Sequence, residues 1–211
     1  MSCNIEVIKK NQHKTSEWSG GTTTQLYIYP ENSQYDQRNF KWRLSSAKVQ
    51  VESSTFTSLQ GISRLIMVLE GELHLKHKDH HNATLKALQQ DSFSGDWITT
   101  SFGRVTDFNL MLAQGYKGKL EAISFKSGDF KDMLLCNNVN DAQKCSKITE
   151  AFYIVKGDVE INIGANEKIG LNKGDLALVT RTAKEIPSEF KIHNKSPEQA
   201  NIIKASIFYC E

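Results

Sequence analysis

Apolar and polar positions along this chain alternate in short runs, and convincing helical periodicity is scarce. Residues 24–29, 42–51, 64–69, 72–76 and 107–113 fit β-strands in the first half. Residues 152–155, 159–163, 176–180 and 202–209 fit strands in the second. Gly, Asn, Asp and Ser clusters separate these runs, as turns between strands require. Closely spaced short strands over a whole chain predict an all-β sandwich or barrel.

A weak internal repeat sharpens that expectation. RLIMVLEGELHLK from Arg64 resembles EAFYIVKGDVEINIG from Glu150. Each copy is an apolar strand, a glycine with an acid (Gly71-Glu72, Gly157-Asp158), and then an alternating strand. Leu73 and Leu75 share one face of the first, as Val159, Ile161 and Ile163 do in the second. Both copies reach a second Gly-Asp turn, Gly95-Asp96 and Gly174-Asp175. Glycine suits such turns because it takes positive φ without a Cβ penalty. Two copies of this skeleton predict two cupin, jelly-roll-like barrels packed together in one chain. The first barrel is expected over residues 1–125 and a second, degenerate one over 126–211, with strands exchanged between the halves. The stretch 131–147 reads either as the connection between barrels or as an insertion.

WSGG from Trp18, WRLSSAKV from Trp42, FTSLQGISRLIMVLEG from Phe56, FSGD from Phe93 and DFNLM from Asp107 occur in that order. In these segments the chain resembles the HutD/Ves family of bicupins. Gln60 departs from the pattern, standing where the family usually has proline. The second half matches only in its cupin pattern. The resemblance implies an association with histidine utilisation or a stress response. It also implies acidic intermediates of that pathway, such as a formylated glutamate or urocanate, as ligands.

Metal-binding cupins carry His-x-His, a glutamate and then a glycine, so that imidazoles and a carboxylate converge on one cation. Counting back from Gly71 places Arg64 in the glutamate position, where its charge repels a metal. The histidine positions fall on Thr57 and Leu59, or Ser58 and Gln60. In the second copy Glu150 is correctly placed, but the histidine positions hold Gln143 and Cys145, or Lys144 and Ser146. The expectation is therefore no cofactor and no cupin metal. HLKHKDHH from His74 is the rival cluster. His74 and His77 lie three apart on a strand and face opposite sides, and a solvated strand end with a hairpin loop is the simpler reading.

Strand parity assembles a polar set instead. Arg43 and Ser45 share one face of their strand, Asp107, Asn109 and Met111 share one face of another, and Arg64 begins an otherwise apolar strand. With Asp96 these groups are the expected ligand-binding residues: Arg43, Ser45, Arg64, Asp96, Asp107 and Asn109. Two arginines hold a carboxylate by paired charge-assisted hydrogen bonds, while Asp, Asn and Ser read an amide, amine or hydroxyl. The structural alternative is a buried ion pair from Arg64 to Asp96 or Asp107. Trp18 is expected in packing or as a lid at the barrel mouth.

Composition adds exclusions. A net charge of +2 with scattered Lys and Arg gives no basic stripe for nucleic acid and no basic amphipathic segment for a membrane surface. The opening residues lack an apolar run long enough for a signal or membrane helix. Cys3, Cys136, Cys145 and Cys210 form no CxxC, so a cytoplasmic protein with reduced thiols is expected. No nucleophilic triad, phosphate loop or dinucleotide fingerprint is present. The reading that follows is a metal-free binding or regulatory protein for a small carboxylate, in which edge-to-edge packing makes a homodimer reasonable. The alternative is a metal-independent isomerase or epimerase, with Asp107 or Asp96 as the general base.

Overall fold

A computed structural model describes residues 4–132, 145–163, 167–183 and 190–210. Among them the secondary structure is β-strand apart from one 3-10 turn, Lys10–Gln12. No helix among the described residues is long and apolar enough to cross a membrane. The chain divides into two compact units. One is His13–Tyr116; the other joins Met1–Gln12 to Lys117–Glu211. The division thus falls between Tyr116 and Lys117, against 125/126 in the sequence reading, and the N-terminal strand belongs with the C-terminal unit. Most of the stretch 131–147 lies outside the described residues.

In the unit His13–Tyr116, a six-stranded antiparallel sheet runs in the order β2 (Lys14–Trp18), β3 (Gly21–Tyr29), β4 (Trp42–Val49), β11 (Thr106–Leu112), β6 (Ser63–Glu70), β9 (Gln90–Ser94). A four-stranded sheet has the order β5 (Ser53–Thr55), β10 (Thr99–Phe102), β7 (Glu72–His77), β8 (Asn82–Lys86). β7 shows why such a strand forms here. Its exposure alternates residue by residue, burying Leu73, Leu75 and His77 and exposing the residues between. That two-residue period matches the pleat of a strand with one face in the core. Ile66, Val68, Leu73, Leu75, Leu85 and Phe93 form the apolar core of the unit. β4 and β11 are buried on both faces. Trp42, Leu44, Phe108 and Leu110 occupy one face, with Tyr27 and Tyr29 stacked on Trp42 at 5.1 and 5.5 Å. The other face carries Arg43, Ser45, Asp107 and Asn109 beside Ala47, Val49 and Met111.

The second unit repeats the plan. A five-stranded sheet has the order β1 (Asn4–Ile8), β17 (Leu176–Thr182), β14 (Lys147–Lys156), β19 (Ala200–Tyr209), β12 (Tyr116–Phe125). A four-stranded sheet has the order β13 (Phe130–Asp132), β18 (Phe190–Asn194), β15 (Val159–Ile163), β16 (Glu167–Leu171). Phe125, Phe152, Ile154, Ile161, Phe190, Ile192 and Ile202 fill its core. β1 pairs antiparallel with β17 from Asn4↔Thr180 to Ile8↔Leu176, and this holds the N-terminus in the unit. Beyond β1, Lys9 Nζ and the Lys10 amide both meet the Asp175 carboxylate at 2.9 Å. Burial opposes the Asp175 charge, but the Asn172 and Lys10 N–H groups and the Lys9 ammonium outweigh it and hold the pKa below the usual value. Cys145 and Cys210 are joined by a disulfide, so these two cysteines depart from the reduced thiols expected from sequence.

The repeated turns share a plan but not one mechanism. Gly71 and Gly157 have φ of 92° and 83°, the left-handed region that a Cβ disfavours. Gly174 is likewise at 93°, but Gly95 is not among the positive-φ glycines. Gly95 is required by close approach: a Cβ there would run into the carbonyl oxygen of Leu59 and lie 2.9 Å from that of Ile62. At Gly71 both constraints act, because a Cβ would sit 2.7 Å from the Arg104 carbonyl oxygen. Gly61 has φ 70° and open space. Gly71→Ala is therefore expected to cost about 2 kcal/mol or more in urea unfolding, and Gly61→Ala distinctly less. Equal losses would show that the dihedral alone matters.

Candidate functional site

The inner face of β4, β11 and β6 carries the site. Register places Ser45 opposite Asn109, Ala47 opposite Asp107, and both Arg43 and Arg64 opposite Met111. These side chains, with Thr55, Phe56 and Thr57 from β5 and the segment after it, line a cavity of about 340 Å³. That volume suits a small ligand. Five of the six residues expected from sequence line it: Arg43, Ser45, Arg64, Asp107 and Asn109. All five are buried. Asp96 is not among the lining residues. It lies in the turn after β9, exposed, where it accepts from Ser94 Oγ at 2.8 Å and from the Gly61 amide at 3.4 Å. Its contacts clamp a loop: it follows the end of β9 at Ser94 and ties that turn to the Gly61 amide.

Each guanidinium is only partly used. Arg43 Nε donates to Gln25 Oε1 at 3.0 Å and Nη1 to Ser45 Oγ at 3.1 Å. Arg64 Nη2 donates to Asn109 Oδ1 at 3.0 Å, and Asn109 Nδ2 donates to Asp107 Oδ1 at 2.8 Å. The alternative reading, a direct ion pair from Arg64 to an aspartate, gives way to a relay through Asn109. Arg64 Nε is buried without a hydrogen-bond partner among the described residues. An unmade bond of that kind is costly unless a further group completes it. Aromatic faces support both cations: Arg43 Cζ sits 4.4 Å from the Tyr35 ring, and Arg64 Cζ 4.6 Å from Phe56 and 5.2 Å from Phe93.

Burial sets the electrostatics. It lowers the pKa of Arg43, against the raising influence of Tyr35 and Asp36. It lowers Arg64 to about 10; Tyr35 and Asp107 raise it and Arg43 lowers it further. Both stay cationic at neutral pH. Asp107 is pushed up to about 6 by burial, which outweighs the Asn109 hydrogen bond, the Arg64 charge and the Ala47 amide. The interior of the pocket therefore carries two positive charges against one reluctant negative. Asp36 adds a carboxylate among the exposed lining residues.

Sequence reasoning missed Gln25, Tyr35, Asp36 and Phe56 as partners of the arginines. Gln25 stands at a register shift between β3 and β4, and Tyr35 and Asp36 lie in an aperiodic loop, so parity has no hold on them. Trp18 lines the cavity at 38% exposure, in keeping with a place at its mouth. Its ring lies so close to Gly20 that a Cβ there would collide with it. In the histidine run His74, His80 and His81 are exposed, in keeping with a solvated strand end and hairpin loop, and His77 alone departs from that expectation. His77 is buried, with Nδ1 2.8 Å from Thr99 Oγ1 and Nε2 2.9 Å from Asp91 Oδ2.

Two barrel-like β-sandwich units, the first with a polar cavity between its sheets, define a bicupin. Oxalate decarboxylase from Lactobacillus farciminis, solved as a formate complex, shares this fold with a TM-score of 0.68 at 8% identity, covering 99% of this chain and 87% of that one. The HutD family model matches residues 10–198, and the chain belongs to the HutD family. HutD from Pseudomonas fluorescens SBW25, solved in a formate condition, superposes with a TM-score of 0.64 at 20% identity over 96% of this chain and 98% of that one. Protein Ves of Escherichia fergusonii is 34% identical over 96 residues, which span 43% of this chain and about half (48%) of that relative.

The sign of the Asp107 shift fixes a pH dependence. Its native pKa of about 6 lies above the usual 3.8, so the native state holds the proton more tightly than the unfolded chain. The stability this contributes is complete below about pH 4 and is lost as pH rises through 6. Asp107→Asn removes the ionisation and keeps a polar group of the same shape. Between about pH 4.5 and 7.5 its stability relative to the parent should grow by about 1–3 kcal/mol in urea unfolding. A constant difference would show that Asp107 titrates at its ordinary value.

Proposed function

We propose that this protein binds a small carboxylate in the cavity between Arg43 and Arg64, as a regulatory or sensing component associated with histidine utilisation. The observation that carries the reading is the charge balance of the pocket. Two buried guanidiniums accompany one carboxylate whose pKa is raised to about 6, and Arg64 Nε has no hydrogen-bond partner among the described residues. A ligand carboxylate would supply the missing negative charge and accept the unused N–H groups in paired, charge-assisted bonds. Asn109, Ser45 and Asp107 would then read an amide, amine or hydroxyl on the same ligand. Formylated glutamate and urocanate fit both the charge and the family association.

Calorimetric titration and thermal-shift measurements with these acids test the reading. The parent should bind one of them at a single site, and Arg43→Ala or Arg64→Ala should weaken binding by about tenfold or more. Protonation of Asp107 removes the one buried negative charge, so affinity should rise as pH falls from about 7.5 to 5, on the order of tenfold. Binding that ignores pH and both arginine substitutions would place the ligand elsewhere.

One observation favours a second reading, a metal-independent isomerase or epimerase. A carboxylate with a pKa of about 6 inside a ligand-sized cavity is well tuned as a general base. A base that removes a carbon-bound proton would exchange it with solvent. Deuterium incorporation into a bound acid, followed by NMR in heavy water, should then occur with the parent and vanish in Asp107→Asn while binding persists. Binding without any exchange would leave the non-enzymatic reading standing alone.

A further inference from the structure

Apart from the arginine cavity, the same unit holds a second convergence of side chains. Asp91 of β9 is its centre. Its Oδ2 lies 2.9 Å from His77 Nε2, and both of its oxygens lie 3.0 Å from His81 Nε2. One donor atom from each of the three residues falls within 4.8 Å of the other two. The hairpin between β7 and β8 creates this arrangement. The His77 amide donates to the His81 carbonyl at 3.1 Å and the His80 amide to the His77 carbonyl at 3.0 Å. Asp79 takes a φ of 61°, which aspartate tolerates better than most residues. The chain thereby folds back, and His81 returns beside His77.

From these contacts we propose that His77, His81 and Asp91 form a binding site for one divalent first-row transition ion, with Zn²⁺ as the leading candidate. Two imidazole nitrogens and one carboxylate are the donor set such ions prefer; Mg²⁺ and Ca²⁺ prefer oxygen alone. Metal–ligand bonds of about 2.0–2.2 Å place neighbouring donor atoms roughly 3 Å apart, the spacing both imidazoles have to Asp91, while all three donors lie within 4.8 Å of one another. The His77 ring is fully shielded from solvent, and the Thr99 hydroxyl fixes its far nitrogen. Outer partners of that kind orient the imidazoles of metal sites. Phe93 and Trp97 wall the ring at 4.6 and 5.6 Å. The His81 side chain is 44% exposed, which leaves a path for the ion and a side open to further ligands. Because β7 and β8 belong to the four-stranded sheet and β9 to the six-stranded one, the ion would staple the two sheets together. The site is independent of the metal-binding positions of the cupin repeat, where Arg64 stands in place of glutamate.

The test uses the full chain, stripped with a chelator. Co²⁺ binding is followed by visible absorption, and Zn²⁺ by competition with a chromogenic chelator and by melting temperature. One equivalent of ion should bind with a rise in melting temperature. His81→Ala, which removes a half-exposed ring, and Asp91→Asn should each weaken binding by at least about tenfold. His74→Ala should leave it unchanged. His80→Ala should as well, since that ring is stacked on Trp97 with centroids 3.7 Å apart. Absence of saturable binding in the parent would overturn the proposal and leave a hydrogen-bonded His–Asp–His cluster. So would affinity in His81→Ala and Asp91→Asn unchanged from that of the parent, or a loss in His80→Ala as large as in His81→Ala, the mark of loose binding to a histidine-rich surface.

Discussion

Arg43 and Arg64 carry two positive charges into the interior of a small β-sandwich, and the neighbouring groups are arranged around that cost. Isolated charges are expensive to bury unless hydrogen bonds and counter-charges replace water. Here the compensation is partial. Gln25, Ser45 and Asn109 supply neutral acceptors, and Tyr35, Phe56 and Phe93 supply aromatic faces. Asp107, the buried carboxylate of this cavity, is linked to Arg64 through the Asn109 amide. This incomplete neutralisation turns a cavity into a candidate anion site, while burial, outweighing the Asn109 hydrogen bond and the Arg64 charge, raises the pKa of Asp107 to about 6.

The second unit solves the same problem differently. Glu150, which sits where a metal-binding cupin has its glutamate, meets Lys204 Nζ at 3.0 Å, with both side chains almost wholly buried. Ser206 Oγ donates to the same carboxylate oxygen at 3.4 Å. Glu150 and Lys204 match each other's charge within this unit, whereas in the cavity of His13–Tyr116 the two arginines outnumber the one buried carboxylate. The repeat has thus kept one backbone plan and separated the electrostatics of its two copies.

The two proposed sites of the first unit draw on one short stretch of chain. Phe93 touches the Arg64 guanidinium and also the His77 ring, so β9 and the turn after it support the cavity wall on one hand and the histidine cluster on the other. Gly95 explains how tightly this segment is fitted: its amide donates to the Ile62 carbonyl at 2.7 Å, and the Leu59 amide donates to the Gly95 carbonyl at 2.8 Å. Asp96 completes that clamp without entering the pocket.

The sequence by itself determined the all-β character, the repeat and one face of the site. Alternation along β4 and β11 places Arg43, Ser45, Asp107 and Asn109 on a common side, because side chains on an unbroken strand alternate with a period of two. The nearly continuous apolar run at β6 and the spaced leucines of β7 were legible for the same reason. Strands such as β12 and β18, where charged residues interrupt the apolar ones, left no such signal. Nor could periodicity place residues whose position depends on non-local pairing. The N-terminal strand joins the C-terminal unit through β17, which lies more than a hundred and sixty residues away by register (Asn4↔Thr180). Tyr35 reaches Arg43 from an irregular loop, and Asp96 turns away after its strand has ended. His81 returns to His77 only because a tight hairpin reverses the chain, and Asp91 meets both from the other sheet. Local pattern encodes which face a residue takes; which faces and loops then meet is decided by the packing of distant segments.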